Sequence, residues 1–271
     1  MKAQLALLHR KLLSSVYPRR ASLGTRGPIV SFTFDDFPRT ALTVGGHILK
    51  RYGCRGTYYA AIGLMNNSNH LGDQFRRDDL ETLLRDGHEL ASHTFSHISC
   101  RSLTCSKFIA EVEKGRRAIE ELTGQSDFGN FAFPFGEVTL NAKKAVGQDV
   151  ASSRSIWSGL NGPEVDLNLL RANSLYGDRD KCAQVKELIL ENELRRSWLI
   201  FYSHDVCRAP SRFGCTPELL EFAVSFASER RAHILTVAEV VAALADRILI
   251  KERKLFTAAD VDLVKNRTEN C

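Results

Sequence analysis

No apolar run in this sequence reaches the ~20 residues that a membrane-crossing helix needs. No Cys-x-x-Cys pair occurs, so a zinc ribbon has no support. The seven cysteines (Cys54, Cys100, Cys105, Cys182, Cys207, Cys215 and Cys271) are odd in number and irregularly spaced, unlike the framework of a stapled secreted domain. Free thiols in a reducing compartment are expected, with a loop bridge between Cys207 and Cys215 as the alternative. No fixed-period repeat and no Pro/Ser/Gly linker tract divides the chain. Basic residues are scattered rather than interleaved with aromatics, so a net charge of +5 does not point to nucleic acid.

The first residues lack the features of an export signal. Gln4 interrupts a short Ala/Leu run, His9-Arg10-Lys11 closes it, and no small-residue cleavage site follows. A cytoplasmic location is therefore expected. Leu5, Leu8, Leu12 and Val16 recur at helical spacing, with Lys2, Lys11 and Arg19 nearby. That pattern suits a helix packed on the domain; a basic amphipathic helix on a membrane or a lipid-linked substrate is the second reading.

With 271 residues, 44% of them hydrophobic, the chain can bury one large core. Its organising stretch is Ile29-Val30-Ser31-Phe32-Thr33-Phe34-Asp35-Asp36, an apolar run of strand length ending in two carboxylates. Adjacent side chains on a strand point opposite ways. Both carboxylates can serve one site only if a turn re-aims one of them, or if their roles differ.

Further elements alternate. A helix is predicted over 41–52, stopping at Gly53, then a strand over 56–62. Asn66 to Gly72 reads as a polar loop. Asp78-Asp79-Leu80-Glu81 reads as a capping box opening a helix that runs to Arg85 and ends at Gly87, before a strand over 88–92. A helix over 106–122, an aromatic strand over 131–136, a short helix over 141–146 and a strand over 150–157 follow. Leu169 to Leu175 carries Arg171, and a helix covers 185–194. Trp198 to Asp205 is a second very apolar strand, ending in the titratable His204 and Asp205. Thr216-Pro217 starts a helix, 232–235 is a strand, and Thr236 to Glu239 caps the last core helix. Strand–helix alternation argues for an α/β fold with a parallel sheet or barrel. Residues 1–27 form an N-terminal extension, 28–250 the main domain and 251–271 a peripheral tail.

The strand over 88–92 delivers His93-Thr94-Phe95-Ser96-His97. In a helical turn, residues four apart share a face and can share a metal. Two imidazoles and one carboxylate make a facial set for a zinc-like ion with open positions for water or substrate. His47, His70, His88 and His233 carry no role in this reading, and Glu89 alternates away from the site.

On these residues the sequence resembles the polysaccharide deacetylases of carbohydrate esterase family 4, from about Pro28 to Leu244. The motifs appear as Thr33-Phe34-Asp35-Asp36, His93-Thr94-Phe95-Ser96-His97, Phe131-Ala132-Phe133-Pro134-Phe135-Gly136 and Phe201-Tyr202-Ser203-His204-Asp205. The resemblance implies a distorted (β/α) barrel with about seven parallel strands and metal-dependent removal of an N-acyl group from an amino sugar. It implies that Asp36, His93 and His97 hold a divalent ion, with zinc first and cobalt, nickel or manganese as alternatives. It makes Asp35 the base, His204 the acid and the backbone N–H of Phe135 an oxyanion donor. Ala132 stands where many members carry the arginine that braces the base, and Arg171 is the expected substitute. Tyr202 replaces a common leucine of the acyl pocket. Asp166 and Asp205 are both candidates to orient His204. Deformylation of a lipid-linked sugar, hydrolysis of a small cyclic amide, or glycan binding without catalysis are the alternative functions.

Overall fold

The computed structural model describes residues 10–24, 27–125 and 129–245. Leu5 and Leu8, which the sequence pattern places in an N-terminal helix, and the tail from 251 lie outside the described residues.

Eight strands form one parallel sheet: β1 (Ile29–Asp36), β2 (Thr57–Ala60), β3 (Glu89–Ser92), β4 (Asn130–Ala132), β5 (Ser152–Arg154), β6 (Asn173–Ser174), β7 (Trp198–Ser203) and β8 (His233–Ile234). Seven run in the order β6-β7-β1-β2-β3-β4-β5, and β8 pairs the first residues of β1. The two ends approach each other through 167–174. Ser155 N–H donates to the Leu170 carbonyl (2.9 Å) and Leu170 N–H to that of Ser153 (2.8 Å). The result is the distorted (β/α) barrel that the alternation and the resemblance imply.

Alternation along the strands separates two environments. On β1, Val30, Phe32 and Phe34 face the helices and join the largest apolar cluster, with Leu199 and Phe201 of β7. Ser31, Thr33 and Asp35 take the opposite parity and, although polar, are buried within the barrel. In-register neighbours continue that interior: Tyr59 lies beside Asp35, Ala91 beside Tyr59, and Arg154 beside Ala132. At the amino-terminal end of the strands, buried Glu89 accepts from Thr57 Oγ1 (2.7 Å), Asn130 Nδ2 (2.6 Å) and Ala238 N–H (2.8 Å). Burial pushes its pKa up, and these three donors oppose the shift. Glu89 is thus a satisfied plug at the floor of the barrel: it does not alternate away, since it shares the interior parity of Ala91, but lies at the end of the strand opposite the cleft.

Among the described residues, five complete α-helices of nine residues or more pack around this sheet: α1 (Arg77–Arg85), α2 (Cys105–Thr123), α3 (Leu140–Asp149), α4 (Cys182–Arg195) and α5 (Pro217–Glu229). Residues 41–51 form a π-turn running into a short α-helix, ended by Gly53 at φ +66°. The expected capping box of α1 is displaced. Asp79, not Glu81, is the third helical residue, and its carboxylate accepts the N–H of Arg76 (2.8 Å). The box at Thr236 forms as expected: Thr236 N–H donates to Glu239 (2.8 Å) and Glu239 N–H to Thr236 Oγ1 (3.2 Å). Thr104 caps α2, Phe108, Val112, Gly115 and Ile119 form its buried stripe, and Gly124 at φ +70° ends it. Residues 68–73 form a small hairpin rather than a featureless loop.

Residues 10–15 are helical, but Leu13 is buried whereas Leu12 is exposed, one position off the predicted face. Buried Lys143 holds this segment, donating to the Leu13 carbonyl (2.7 Å) and to Asp166 (2.7 Å). Strand Arg20–Ser22 then pairs with Glu164–Asp166 outside the main sheet. The six cysteines among the described residues are all unpaired, including Cys207 and Cys215. No described helix is long and apolar enough to cross a membrane.

Candidate metal centre and hydrolytic site

Three segments meet at the carboxyl ends of β1, β3 and β4. Asp35 keeps its strand parity and points into the barrel. Asp36 would point away, but its backbone is left-handed at φ +63°, followed by Phe37 at φ +67°. This is the turn that aims both carboxylates at one cleft. The segment after β3 is a bend rather than the anticipated helical turn, with positive φ at Thr94 (+64°) and His97 (+52°). Such conformations cost about 1–3 kcal/mol each for residues other than glycine and concentrate at functional sites.

Helix α2 supports the bend. Its Glu111 carbonyl accepts Phe95 N–H (3.1 Å), and the Glu111 carboxylate accepts Ser96 N–H (3.1 Å). Gly115 permits the approach, since a Cβ there would lie 2.8 Å from the Thr94 carbonyl carbon and 2.9 Å from its oxygen. Gly115→Ala is expected to destabilise the fold by about 1–3 kcal/mol, the usual cost of overpacking. It should also weaken metal retention by shifting His97, a change read by denaturant unfolding and metal titration.

The expected metal set comes together. One donor atom from each of Asp36, His93 and His97 lies within 4.8 Å of the others. Asp36 Oδ1 is 3.5 Å from His93 Nε2 and 3.0 Å from His97 Nε2. His93 Nδ1–H donates to the Ala132 carbonyl (2.7 Å), which fixes the tautomer and leaves Nε2 as the free donor. Burial lowers the pKa of His93 to about 3 and that of His97 to about 4, so both rings are neutral ligands at physiological pH. Burial raises that of Asp36 to about 6. Asp36 Oδ1 is buried without a hydrogen-bond donor. An orphaned carboxylate oxygen facing two neutral imidazole nitrogens fits a divalent cation.

Asp35 has a different environment. Burial pushes its carboxyl up, but the Arg154 guanidinium, together with His93 and His204, offsets this and holds it below the usual range. Arg154 Nη2 donates to Asp35 Oδ1, and both side chains are almost wholly buried. The guanidinium lies over the rings of Tyr59 (4.8 Å) and Tyr202 (5.3 Å). Arg154 is therefore the brace that sequence reasoning assigned to Arg171. Arg171 is exposed, donating to the Ser158 carbonyl (3.1 Å), with its stem packed near Gly159. Local spacing did not mark Arg154. Residues 150–157 read as a strand, and Arg154 is the charged residue within it, level with Ala132 on β4. Arg171→Ala is expected to leave turnover within about twofold of wild type, as exposed substitutions away from a site do; initial-rate assays check this.

His204 closes the opposite side, its Nδ1–H donating to the Phe213 carbonyl (3.2 Å). Neither expected carboxylate touches it. Asp166 is engaged by Lys143 and by Arg19 N–H (3.0 Å), and Asp205 binds Ser211. Asp35, Asp36, His93, His97 and His204 line one cleft of about 330 Å³. His70, to which no role was assigned, lines the same cleft, with its ring 6.1 Å from that of Phe213. Tyr202 and Tyr176 form another wall, ring centroids 5.4 Å apart. Phe135 sits in a 3-10 turn at φ +58°, its side chain 59% exposed at the lip and 4.5 Å from the His97 ring.

Geometrically this is a parallel (β/α) barrel with a candidate divalent-metal site at the carboxyl ends of its strands. Residues 23–150 match the family model for polysaccharide deacetylase. Among solved structures, the barrel is similar to the chitin deacetylase from Colletotrichum lindemuthianum (TM-score 0.57, 18% identity, covering 80% of this chain and 88% of that one). It is also similar to the peptidoglycan deacetylase PdaC from Bacillus subtilis (TM-score 0.52, 16% identity, covering 84% and 97%). A third is a family 4 acetyl xylan esterase from Clostridium thermocellum, solved with a cobalt ion (TM-score 0.55, 17% identity, covering 79% and 91%). At these identities the likeness concerns the fold. No curated protein matches the sequence.

Proposed function

We propose that this protein is a metal-dependent hydrolase that removes an N-acyl group, acetyl first, from an amino sugar of a glycan or glycan precursor. The observation that carries the reading is the pairing of two unlike carboxylates. Asp36 presents an orphaned oxygen to two neutral imidazoles, while its neighbour Asp35 is kept ionised by Arg154.

Asp36, His93 and His97 would hold the ion, and zinc suits one carboxylate oxygen with two imidazole nitrogens. When bound, the cation supplies Lewis acidity for an acyl oxygen and lowers the pKa of water. Asp35 accepts the proton of the attacking water. Its Oδ1 is tied to Arg154, which leaves the second oxygen for that proton. The backbone N–H of Phe135 donates to the developing oxyanion. His204, held through Nδ1–H, acts from its imidazolium form: it gives the Nε2 proton to the departing amine and is left as the neutral Nδ1–H tautomer. The exposed Phe135 ring offers an apolar face to a sugar at the lip of the cleft.

Residues 28–250 form the catalytic domain in this reading. Unpaired thiols fit a reducing compartment, so the proposed substrate is a cytoplasmic nucleotide- or lipid-linked amino sugar. Zinc-loaded protein, supplied with N-acetylated and N-formylated amino sugars, should release acetate. Release of formate alone would make it a deformylase. Glycan binding without release of either acid would make it a non-catalytic relative.

A further inference from the structure

His204 is oriented by a backbone carbonyl, and that carbonyl is itself held by a buried carboxylate. Asp205, 3% exposed, accepts Ser211 N–H at Oδ2 (2.7 Å) and Ser211 Oγ–H at Oδ1 (2.6 Å). Ser211 Oγ accepts Phe213 N–H (3.2 Å), and Phe213 presents its carbonyl to His204 Nδ1–H (3.2 Å). The base of this loop is closed by Cys215 N–H on the Asp205 carbonyl (2.9 Å) and Cys207 N–H on that of Cys215 (3.2 Å). Gly214 allows the closure. A Cβ there would lie 2.4 Å from Asp205 Oδ1 and 2.5 Å from the Asp205 carbonyl oxygen.

We propose that Asp205 and Ser211 are positioning residues that set the tautomer and aim of His204 through the Phe213 carbonyl. The physical reason is directional. A fixed acceptor at Nδ1 keeps a proton on that nitrogen in both the neutral and the doubly protonated ring, so Nε2 is the nitrogen that takes up a proton and passes it to the departing amine. A carbonyl on a free loop would not do this, because its direction would fluctuate. Here Phe213 is held on both sides of its Cα, by Ser211 through its N–H and by His204 through its carbonyl. A buried carboxylate with two short hydrogen bonds anchors the serine, and bonds to an ionised acceptor are about twice as strong as neutral ones. The Phe213 ring also walls the cleft beside Tyr176 (6.0 Å) and His204 (5.6 Å), so one relay sets both the acid and part of the pocket.

The relay is tested on the full chain loaded with zinc as a diamagnetic ion. Long-range proton–nitrogen NMR of His204 should show the Nδ1–H tautomer in wild type and a shift toward Nε2–H in Ser211→Ala, with Ser211→Thr restoring wild-type behaviour. An unchanged tautomer in Ser211→Ala overturns the proposal.

The kinetic arm rests on the deacylation reading. General acid–base groups contribute about 10²–10⁴-fold, so loosening one should lower kcat for an N-acetyl amino sugar about 30-fold with little change in KM. Hydrolysis of an aryl acetate, whose phenolate leaves without a proton, should stay near wild type. Equal losses on both substrates, or no loss on the amide, would overturn the proposal. If wild type hydrolyses neither substrate, the deacylation reading fails while the tautomer measurement still decides the relay.

Discussion

Truncating Arg154 to alanine is expected to lower kcat for deacylation by about 10³-fold, within the range that a general base contributes, and to destabilise the fold by about 3–5 kcal/mol. Both effects follow from stranding Asp35 without its buried counter-charge. In wild type, Arg154 holds the Asp35 carboxyl low, so the pair contributes stability above the unfolded carboxylate pKa, and this is lost as pH falls through the folded value. In the variant, burial, the largest influence on this carboxyl, is opposed only by His93 and His204 and is expected to raise the folded pKa. The sign then reverses: the metal-free variant should gain relative stability on acidification and lose it as pH rises. Urea unfolding across pH, with chelator present, reads this directly. A second substitution separates lost charge from lost packing. Ala132 is the in-register neighbour of Arg154 and packs with Tyr59 and Ala91, so Ala132→Arg in the Arg154→Ala background should recover tenfold or more of the lost rate. Failure of the double variant, alongside a wild-type pH profile in the single one, would remove Arg154 from the role of brace.

That substitution also shows where the sequence could and could not be read. The long strands were legible because β1 and β7 are almost wholly buried and their apolar content is dense. The metal set was legible because its members lie at strand ends in two compact motifs. Arg154 was not, because its relation to Ala132 is a cross-strand register, set by tertiary pairing and absent from local spacing. Strand β5 is three residues long and carries two serines, so its pattern announces no buried face. His204 failed differently. Sequence offered Asp166 and Asp205 alike as carboxylate partners; neither touches His204, and Asp205 is linked to it only through Ser211 and Phe213. Loop closure by Gly214 decides that path, and a loop has no periodicity to reveal it. The bend at 94–97 went the same way: left-handed backbone at Thr94 and His97, clamped by α2, brings the rings together without a helical turn.

The second large effect concerns the metal set. His93→Ala or His97→Ala is expected to reduce metal content from near one ion per chain to below about a tenth, since losing a donor costs more than the 10–100-fold that a disturbed supporting contact does. Activity should fall to background with it. Asp35→Asn should abolish turnover yet keep the ion, because Asp35 stands beside the set without belonging to it. Inductively coupled plasma mass spectrometry on dialysed variants separates the two cases. Loss of metal from the Asp35 variant, with retention in Asp36→Asn, would exchange the roles of the two carboxylates. Acid provides an independent check. The rings of His93 and His97 resist protonation until about pH 3 and 4, whereas Asp36 takes up a proton near pH 6 in the metal-free state. Protons should therefore compete with the ion first at Asp36, and affinity should decline below about pH 6 by roughly tenfold per unit. In Asp36→Asn that competition is removed, and the residual, weaker affinity should stay flat until the imidazoles titrate. A wild-type affinity independent of pH between 6 and 5 would show that Asp36 is not a ligand.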